Sequence, residues 1–347
     1  MSFTLNESWV ILAILLTLIS VGGTKFLIKY LVTLDFFDVP VSRSNHTNPV
    51  VKGGGIIIFA CLAVGWLLAP VLTLDMAGPT NLPLPLFIGA AVLFAISLLD
   101  DIRHIPFILR LTFHGGAVAF VMWQMPFSGH FFSTSLPLWV DQALTWALWV
   151  WFINAFNFMD GIDGISSIES IAICLGVALF CLLFHLPISL LVICVIIALA
   201  CGGFLIWNWH PANIFLGDSG SIVLGFILGY LLLSLANHGY SIAAFIIPLY
   251  YLMDTGITIL KRLLDKQKIW EAHSNHFYQQ AVRSGKSHAF VVKLVTLVNL
   301  WLIAFAWLSL TYPRLSLAFS VWIIIGLLAS LTNKIPSQLK NLMKDRP

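Results

Sequence analysis

Charged residues are scarce in this chain of 347 residues. Only 10% of the residues are Asp, Glu, Lys or Arg, against roughly 25% in an ordinary soluble domain. Hydrophobic residues make up 59%, and the mean hydropathy is +0.95. A soluble domain of this length would need polar surface that the chain does not have. Intrinsic disorder requires low hydrophobicity and high net charge, so it is excluded as well.

Cysteine and glycine are also too few for the fold classes that depend on them. With 5 Cys and 24 Gly, disulfide scaffolds and collagen are excluded. The cysteines all lie inside apolar runs and read as small buried hydrophobic residues; they are Cys61, Cys174, Cys181, Cys194 and Cys201. The formal net charge of +3 is too small to indicate nucleic acid as a partner.

Long apolar runs are abundant, and a spanning helix takes about 20 such residues. The sequence therefore predicts an all-α integral membrane protein with about 11 transmembrane helices, forming a single polytopic domain over residues 1–347. The first run follows Glu7 and no Lys or Arg, so it is expected to be a true span rather than a signal peptide. The runs lie at about 9–32, 54–74, 82–99, 108–126, 138–155, 165–185, 187–207, 220–236, 240–260, 290–311 and 315–332.

The basic residues predict the orientation of these spans, because cytoplasmic loops are enriched in Lys and Arg. With the N-terminus outside and the C-terminus in the cytoplasm, 17 of the 18 Lys and Arg residues fall in inside loops or at the adjoining helix ends, and only Arg314 does not. The predicted cytoplasmic loops are about 33–53, 100–107, 156–164, 208–219 and 261–289.

Most of the 15 acidic residues gather at this same face. Asp100 and Asp101 end the third run, Asp160 and Asp163 follow the fifth, and Asp218 precedes the eighth. Charges near lipid are costly and usually functional. A lone Asp at a helix end is more often a water-facing cap. An adjacent pair, an Asp-Gly-x-Asp-Gly and a Gly-Asp-Ser-Gly on one membrane face favour a site instead.

Each group has a physical use. Carboxylates with an Asn oxygen are the ligands that Mg²⁺ prefers, with substrate phosphate completing the shell. Gly217-Asp218-Ser219-Gly220 opens a helix, where N–H groups favour a phosphate or a carboxylate. The loop that contains His273 and His276 is basic and suits either a diphosphate or lipid headgroups. A zinc site at these histidines lacks a clear third ligand.

Phosphoryl chemistry on a lipid-embedded substrate fits this arrangement. The main alternative is a cation-coupled transporter or lipid flippase, whose acids should lie near the bilayer midplane; Asp254 comes nearest to that position. An inactive scaffold for glycan assembly is a third alternative.

The motifs resemble those of the polyprenyl-phosphate N-acetylhexosamine-1-phosphate transferases, in glycosyltransferase family 4, and in particular its branch that initiates O-antigen synthesis. Four stretches carry the resemblance, in the family's order: the first inside loop from Arg43 to Gly55, the Asp-Asp motif Leu99-Asp100-Asp101, the Asn-Ala-x-Asn-x-x-Asp-Gly-x-Asp-Gly motif from Asn154 to Gly164, and the Phe-x-Gly-Asp-x-Gly motif within Asn213 to Gly220.

The resemblance implies a reaction and its participants. Undecaprenyl phosphate attacks the β-phosphate of a UDP-N-acetyl sugar, giving undecaprenyl-diphosphate-sugar and UMP, at the cytoplasmic face of the bacterial inner membrane. The product would initiate lipopolysaccharide O-antigen or a related cell-wall glycan. Mg²⁺ is the expected cofactor, with Mn²⁺ as the alternative. A homodimer is the other partner considered.

The resemblance also implies roles for individual residues. Asp100 would bind or deprotonate the lipid phosphate, and Phe215 would stack on uracil. The expected sets are catalytic Asp100, Asp101 and Asp218; metal-binding Asp218 and Asn157; uridine-binding Gly161, Asp163, Asn208 and Phe215; and sugar- or diphosphate-binding His46, Lys52, Asp160, His273, Asn275 and His276.

The last inside loop departs from part of the family. Members specific for N-acetylglucosamine carry a His-x-His-His pattern, whereas Asn275 stands in place of the middle His here. The loop resembles the branch proposed to use 6-deoxy sugars such as UDP-N-acetylfucosamine or UDP-N-acetylquinovosamine. The sugar is therefore left open, and the peptidoglycan substrate with its pentapeptide is not expected.

Overall fold

The computed structural model describes residues 7–40, 45, 48–72, 81–103, 105–127, 130–132, 135–268 and 273–332. The described chain is predominantly helical, which confirms the all-α class. The first predicted run forms α1 (Glu7–Leu18) and α2 (Thr24–Thr33), joined by a π-helical turn. The helices that follow are α3 (Gly55–Leu72), α4 (Leu84–Ile102), α5 (Phe107–Gln124), α6 (Leu138–Met159), α7 (Ile165–Phe184), α8 (Ile188–Asn208), α9 (Asp218–Leu235), α10 (Ser241–Ile246), α11 (Leu249–Leu264), α12 (Phe277–Arg283), α13 (His288–Leu308) and α14 (Pro313–Thr332).

Each of the eleven predicted runs coincides with helical backbone, although the run at 240–260 is divided between α10 and α11. Within the described ranges, seven helices are long and apolar enough to cross a membrane. They are Trp9–Thr33, Leu84–Ile102, Ile165–Phe184, Ile188–Asn208, Asp218–Ile246, His288–Leu308 and Pro313–Thr332. The protein is thus a multi-pass membrane protein, while eleven spans and the orientation of the termini stay predictions.

Helix α9 is the centre of the bundle. Every residue from Ser219 to Leu235 is buried, as expected for a helix that is apolar all round. It packs against α3, α4, α6 and α7. Its first residue is Asp218, so the fold places this carboxylate where the central helix meets one end of the bundle.

Three short strands lie at the same end. β1 (Phe37–Asp38) pairs antiparallel with β2 (Val50–Lys52), and β2 pairs in parallel with β3 (Ile214–Phe215). Lys52 lies opposite Phe215 in this register. The sheet therefore joins the loop before α3 to the loop before α9, although more than 150 residues separate them in the sequence.

Proline and glycine mark the helix starts that shape this end. Pro106 and Pro137 immediately precede α5 and α6, where the missing proline N–H leaves no donor unpaired. Gly164 and Gly217 precede α7 and α9 with φ of +79° and +77°, a region that favours glycine. A Cβ on Gly217 would lie 2.9 Å from Asp101 Oδ2, so a side chain there would displace that carboxylate.

Candidate active site

A polar cavity of about 270 Å³ opens where α9 begins. Segments far apart in the sequence meet in its wall: the β1–β2 region, the α6–α7 turn, the loop before α9, the loop before α12 and the start of α13. Nine residues predicted from the sequence line it: Lys52, Asn157, Asp160, Gly161, Asp163, Asn208, Phe215, Asp218 and His273.

An arginine joins two of the predicted catalytic acids beside this cavity. Arg110 Nη1 on α5 lies 2.6 Å from Asp100 Oδ2 and 3.0 Å from Asp218 Oδ2. The other oxygen of Asp100 accepts a 2.7 Å hydrogen bond from the Ile105 backbone N–H. Asp100 does not line the cavity itself, but it shares a cation with Asp218, which does.

Asp101 points to the start of α9. Its two oxygens accept hydrogen bonds from the backbone N–H groups of Asp218 and Ser219, at 3.2 and 3.1 Å, and Oδ1 lies 2.7 Å from Lys52 Nζ. The side chain is fully buried. Two helix N–H groups and an ammonium thus compensate this carboxylate.

Lys52 carries the positive charge of the cavity wall. Burial alone would lower the pKa of its ammonium, but the carboxylates of Asp101 and Asp218 outweigh burial, so the pKa is raised above its ordinary value. Lys52 therefore stays cationic and can face a phosphate.

Asn157 and Asp160 lie at the end of α6. Ser221 donates a 2.5 Å hydrogen bond to Asn157 Oδ1. Burial raises the pKa of Asp160 to about 7, with the Asp218 carboxylate adding to the shift. Both residues line the cavity together with Asp218. Carboxylate and amide oxygens are hard donors, so this set fits a magnesium-type cation.

The turn after α6 is held from several directions. Asn208 Oδ1 accepts from the Gly164 N–H at 2.9 Å, and its amide donates to the Ile214 carbonyl at 2.8 Å. Asn208 lines the cavity, yet both ends of its amide are occupied by backbone groups, so it fixes the turn against β3.

Asp163, in the same turn, contacts two histidines. His210 Nδ1 and His288 Nδ1 lie 2.6 and 3.1 Å from Asp163 Oδ2. Burial alone would raise the pKa of Asp163, but these histidines lower it below its ordinary value. The three side chains offer ligand atoms within 4.8 Å of one another, which is also a candidate metal-binding set.

Of the predicted residues in the loop before α12, His273 lines the cavity, whereas Asn275 and His276 do not. His273 lines the cavity, and burial, with smaller contributions from the neighbouring His276 and Arg262 side chains, lowers its pKa to about 4, so His273 is neutral at pH 7. His276 is buried against Asp254 and does not line the cavity. Asn275 is exposed and lies outside the cavity wall. His46 lies outside the described residues.

Asp254 is a structural acid of this end of the bundle. Its carboxylate contacts His276 Nδ1 at 3.2 Å and accepts from the backbone N–H groups of Phe277 and Tyr278 at 3.1 and 3.3 Å. It caps α12 and orients the loop that carries His273. A transported ion would have to compete with these three donors.

Several residues at the cavity were not predicted as site residues. Asn45, Gln279 and His288 line it, and Arg110 and His210 contact the cavity acids Asp218 and Asp163. Arg110 carries the one available signal, because a basic residue shortly after an Asp-Asp pair is a natural ion-pair partner. The histidines carry none, because they reach Asp163 only through the packing of α13 and of the loop before β3.

The fold and site define a multi-pass membrane protein with a cavity of acids and cations at one end of its central helix. Residues 83–236 match the family model described as Glycosyl transferase family 4. The chain is 27% identical to the probable undecaprenyl-phosphate N-acetylglucosaminyl 1-phosphate transferase of Bacillus subtilis, over 84% of this chain and 82% of the relative.

Two further relatives have related names. The decaprenyl-phosphate N-acetylglucosaminephosphotransferase of Mycolicibacterium smegmatis is 28% identical, over 84% of this chain and 80% of its own. The undecaprenyl-phosphate alpha-N-acetylglucosaminyl 1-phosphate transferase of Thermotoga maritima is 27% identical, over 82% and 86%. The resemblance to the polyprenyl-phosphate N-acetylhexosamine-1-phosphate transferases is confirmed: residues 83–236 match the family 4 model, and the chain is similar to these enzymes along most of its length.

Proposed function

We propose that the protein transfers an N-acetyl sugar-1-phosphate from a UDP-sugar to undecaprenyl phosphate, producing undecaprenyl-diphosphate-sugar and UMP. The observation that carries this proposal is the joining of Asp218, Asn157 and Lys52 in one cavity at the start of the central helix. The names of the curated relatives support polyprenyl phosphate as the acceptor and a sugar-1-phosphate as the transferred group.

The reaction is a substitution at phosphorus. An oxygen of the lipid phosphate forms a bond to the β-phosphorus of the UDP-sugar while the bond from that phosphorus to the UMP oxygen breaks, so UMP leaves with the bonding electrons. Such reactions depend on positioning and charge neutralisation. A phosphate monoester has a second pKa of about 6, so Asp100 would orient the lipid phosphate more than deprotonate it.

The cations of the site serve the anionic substrates. Lys52 faces the cavity and neutralises the diphosphate, and Arg110 holds Asp100 and Asp218 in place. The N-terminus of α9 adds N–H groups that favour negative charge. Phe215, opposite Lys52 in the sheet, provides an aromatic face for uracil, and Gly161, Asp163 and Asn208 surround the same end.

Mg²⁺ is the proposed cofactor, with Mn²⁺ as the alternative, and Asp218 and Asn157 are the residues that would hold it. When bound, the ion would neutralise charge on the diphosphate and on the departing UMP. Asp160 and His273 would lie near the sugar diphosphate. The proposed setting is the bacterial inner membrane, with the cavity facing the cytoplasm.

The loop before α12 bears on the identity of the sugar. Asn275 and the buried position of His276 leave His273 as the one histidine of the motif in the cavity wall. We propose a N-acetylhexosamine or its 6-deoxy relative as the sugar and initiation of O-antigen or a related envelope glycan as the role. A competition assay across UDP-N-acetylglucosamine, UDP-N-acetylfucosamine and UDP-N-acetylquinovosamine tests which sugar is preferred.

The proposal is tested by reconstitution. Purified protein in undecaprenyl-phosphate vesicles with Mg²⁺ and labelled UDP-sugars should form a lipid-linked sugar and release an equal amount of UMP. Transport of solute or lipid without UMP would contradict it and favour a transporter. Absence of turnover with all three UDP-sugars would also overturn it.

A further inference from the structure

Asp163 is held from one side by three donors. Its buried carboxylate oxygen Oδ2 lies 2.6 Å from His210 Nδ1, 3.1 Å from His288 Nδ1 and 3.3 Å from the Ala212 backbone nitrogen. Among the described residues, no hydrogen bond reaches Oδ1. One carboxylate oxygen is therefore saturated by the protein, and Asp163 lines the cavity wall.

The second ring nitrogen of His288 determines how the ring is used. Nε2 lies 3.2 Å from the Asn45 carbonyl oxygen, which only accepts, so Nε2 donates. Nδ1 lies 3.1 Å from the carboxylate and 3.4 Å from the Asp163 N–H. The shorter contact is the one to the carboxylate oxygen, so the ring joins Asp163 to the Asn45 carbonyl.

Asn45 extends the connection across the cavity wall. Its amide donates to the Gly161 carbonyl at 3.0 Å, while its own carbonyl accepts from His288. The His210 and His288 rings lie 4.7 Å apart. Asp163 is thus fixed by the first loop, by the loop before β3 and by the start of α13, so its position does not depend on its own turn alone.

We infer that His210 and His288 are positioning residues that hold Asp163 as a fixed acceptor at the nucleobase end of the cavity, favouring a base that presents an N–H there. This rests on the proposed function, since Phe215 and Gly161 line the same cavity. Uracil offers an N–H at its N3 position, whereas cytosine offers a lone pair. A fixed anionic acceptor therefore favours uracil and repels cytosine.

The same atoms resemble a two-histidine, one-carboxylate metal set. The hydrogen-bonded arrangement is favoured because Oδ2 already accepts from Ala212 as well as from both rings. Bound metal is accordingly an outcome that would overturn the inference.

The test compares UMP and CMP binding by calorimetry in purified protein. His288→Leu removes both ring nitrogens, and His288→Gln restores one amide N–H group. The corresponding His210 variants form a second pair. His238→Gln is the matched control, because His238 lies beyond the far end of α9 and contacts the Ser234 carbonyl. The Leu variants should bind UMP about tenfold more weakly, the loss of roughly one charge-assisted hydrogen bond, with CMP binding much less affected and partial recovery in the Gln variants.

The kinetic readout separates positioning from stability. In the Gln variants, the donor KM should rise. Their acceptor KM, kcat and melting temperature should stay close to the wild-type values. The inference is overturned if the variants keep the wild-type preference for UMP over CMP. It is also overturned if the wild-type protein binds one equivalent of Zn²⁺ and the variants do not. Failure of the wild type to transfer any UDP-sugar overturns the proposed function instead.

Discussion

Asp101 and Glu169 have fully buried carboxylates in two different regions of the molecule, and the groups that surround them differ. Asp101, beneath the cavity, contacts Lys52 Nζ at 2.7 Å and two N–H groups of α9. Glu169, where α7 meets α13, accepts one 2.7 Å hydrogen bond from Asn299, and its other oxygen has no partner among the described residues. The two carboxylates are equally buried, but of these two regions only the one around Asp101 brings cationic side chains to its acids.

The difference indicates what each acid is for. A charge is expensive to bury without compensation, so Lys52 and Arg110 beside Asp100, Asp101 and Asp218 mark a region built to remain charged and to receive charged substrates. Glu169 instead joins two helices through an amide. Four experiments test this distinction.

Replacing Asp218 by Asn should give the largest effect. The substitution removes the charge that the proposed metal and Arg110 both use, so turnover should fall by about 10³-fold with little change in melting temperature. UMP release and lipid-linked sugar are the measurements. The control is Asp265→Asn, an exposed acid at the end of α11. Retained activity in the Asp218 variant would refute its role as metal ligand.

Replacing Asp101 by Asn should affect both stability and rate. Lys52 and the start of α9 would lose their buried anion, which should cost about 1.5–3 kcal/mol of unfolding free energy and, through misplacement of α9, about 10²-fold in turnover. Thermal unfolding in detergent and the transfer assay measure the two effects. A variant with wild-type stability would show that Asp101 does not hold α9.

The donor KM should depend on pH through the carboxyl group of Asp160. Its pKa of about 7 means that the carboxyl group is neutral and can donate to a diphosphate below pH 7, and becomes an anion that repels it above. The donor KM should therefore rise about tenfold between pH 6 and pH 8, following the fraction protonated. Asp160→Asn should remove this rise. A donor KM that falls with pH would contradict the assignment.

Replacing Glu169 by Gln should have the smallest effect. Gln keeps an oxygen that can accept from Asn299, so activity should stay within about twofold and stability within about 1 kcal/mol, the value of one neutral hydrogen bond. The transfer assay and thermal unfolding measure both. Loss of turnover in a stably folded Glu169→Gln protein would remove the distinction between the two regions.

Much of the fold was predictable because helices in a membrane need long apolar runs. The predicted runs coincide with helices, and α9 lies where its uninterrupted apolar sequence indicates. The strands β1 to β3 were not predicted, because two or three residues carry no periodic pattern. Neither was α12, seven residues long within a polar loop.

The site divides in the same way. Asp160, Asp163 and Asp218 were recognisable from short motifs, and they line the cavity. Asn275 belongs to such a motif but lies outside the cavity, since the cap that Asp254 places on α12 turns the loop so that His273 faces inward. Motif membership therefore indicated which loops form the site but not which of their side chains enter it.

The sequence alone determined a multi-pass helical membrane protein with its acids in a few short segments, because hydropathy and charge scarcity are local properties of the chain. Only the tertiary structure decided the partners of those acids. Arg110 reaches Asp218 across 108 positions, Asp101 reaches the start of α9 across 117, and His288 reaches Asp163 across 125. Helix packing creates these contacts, and packing depends on the shapes of all the helices together rather than on any one segment.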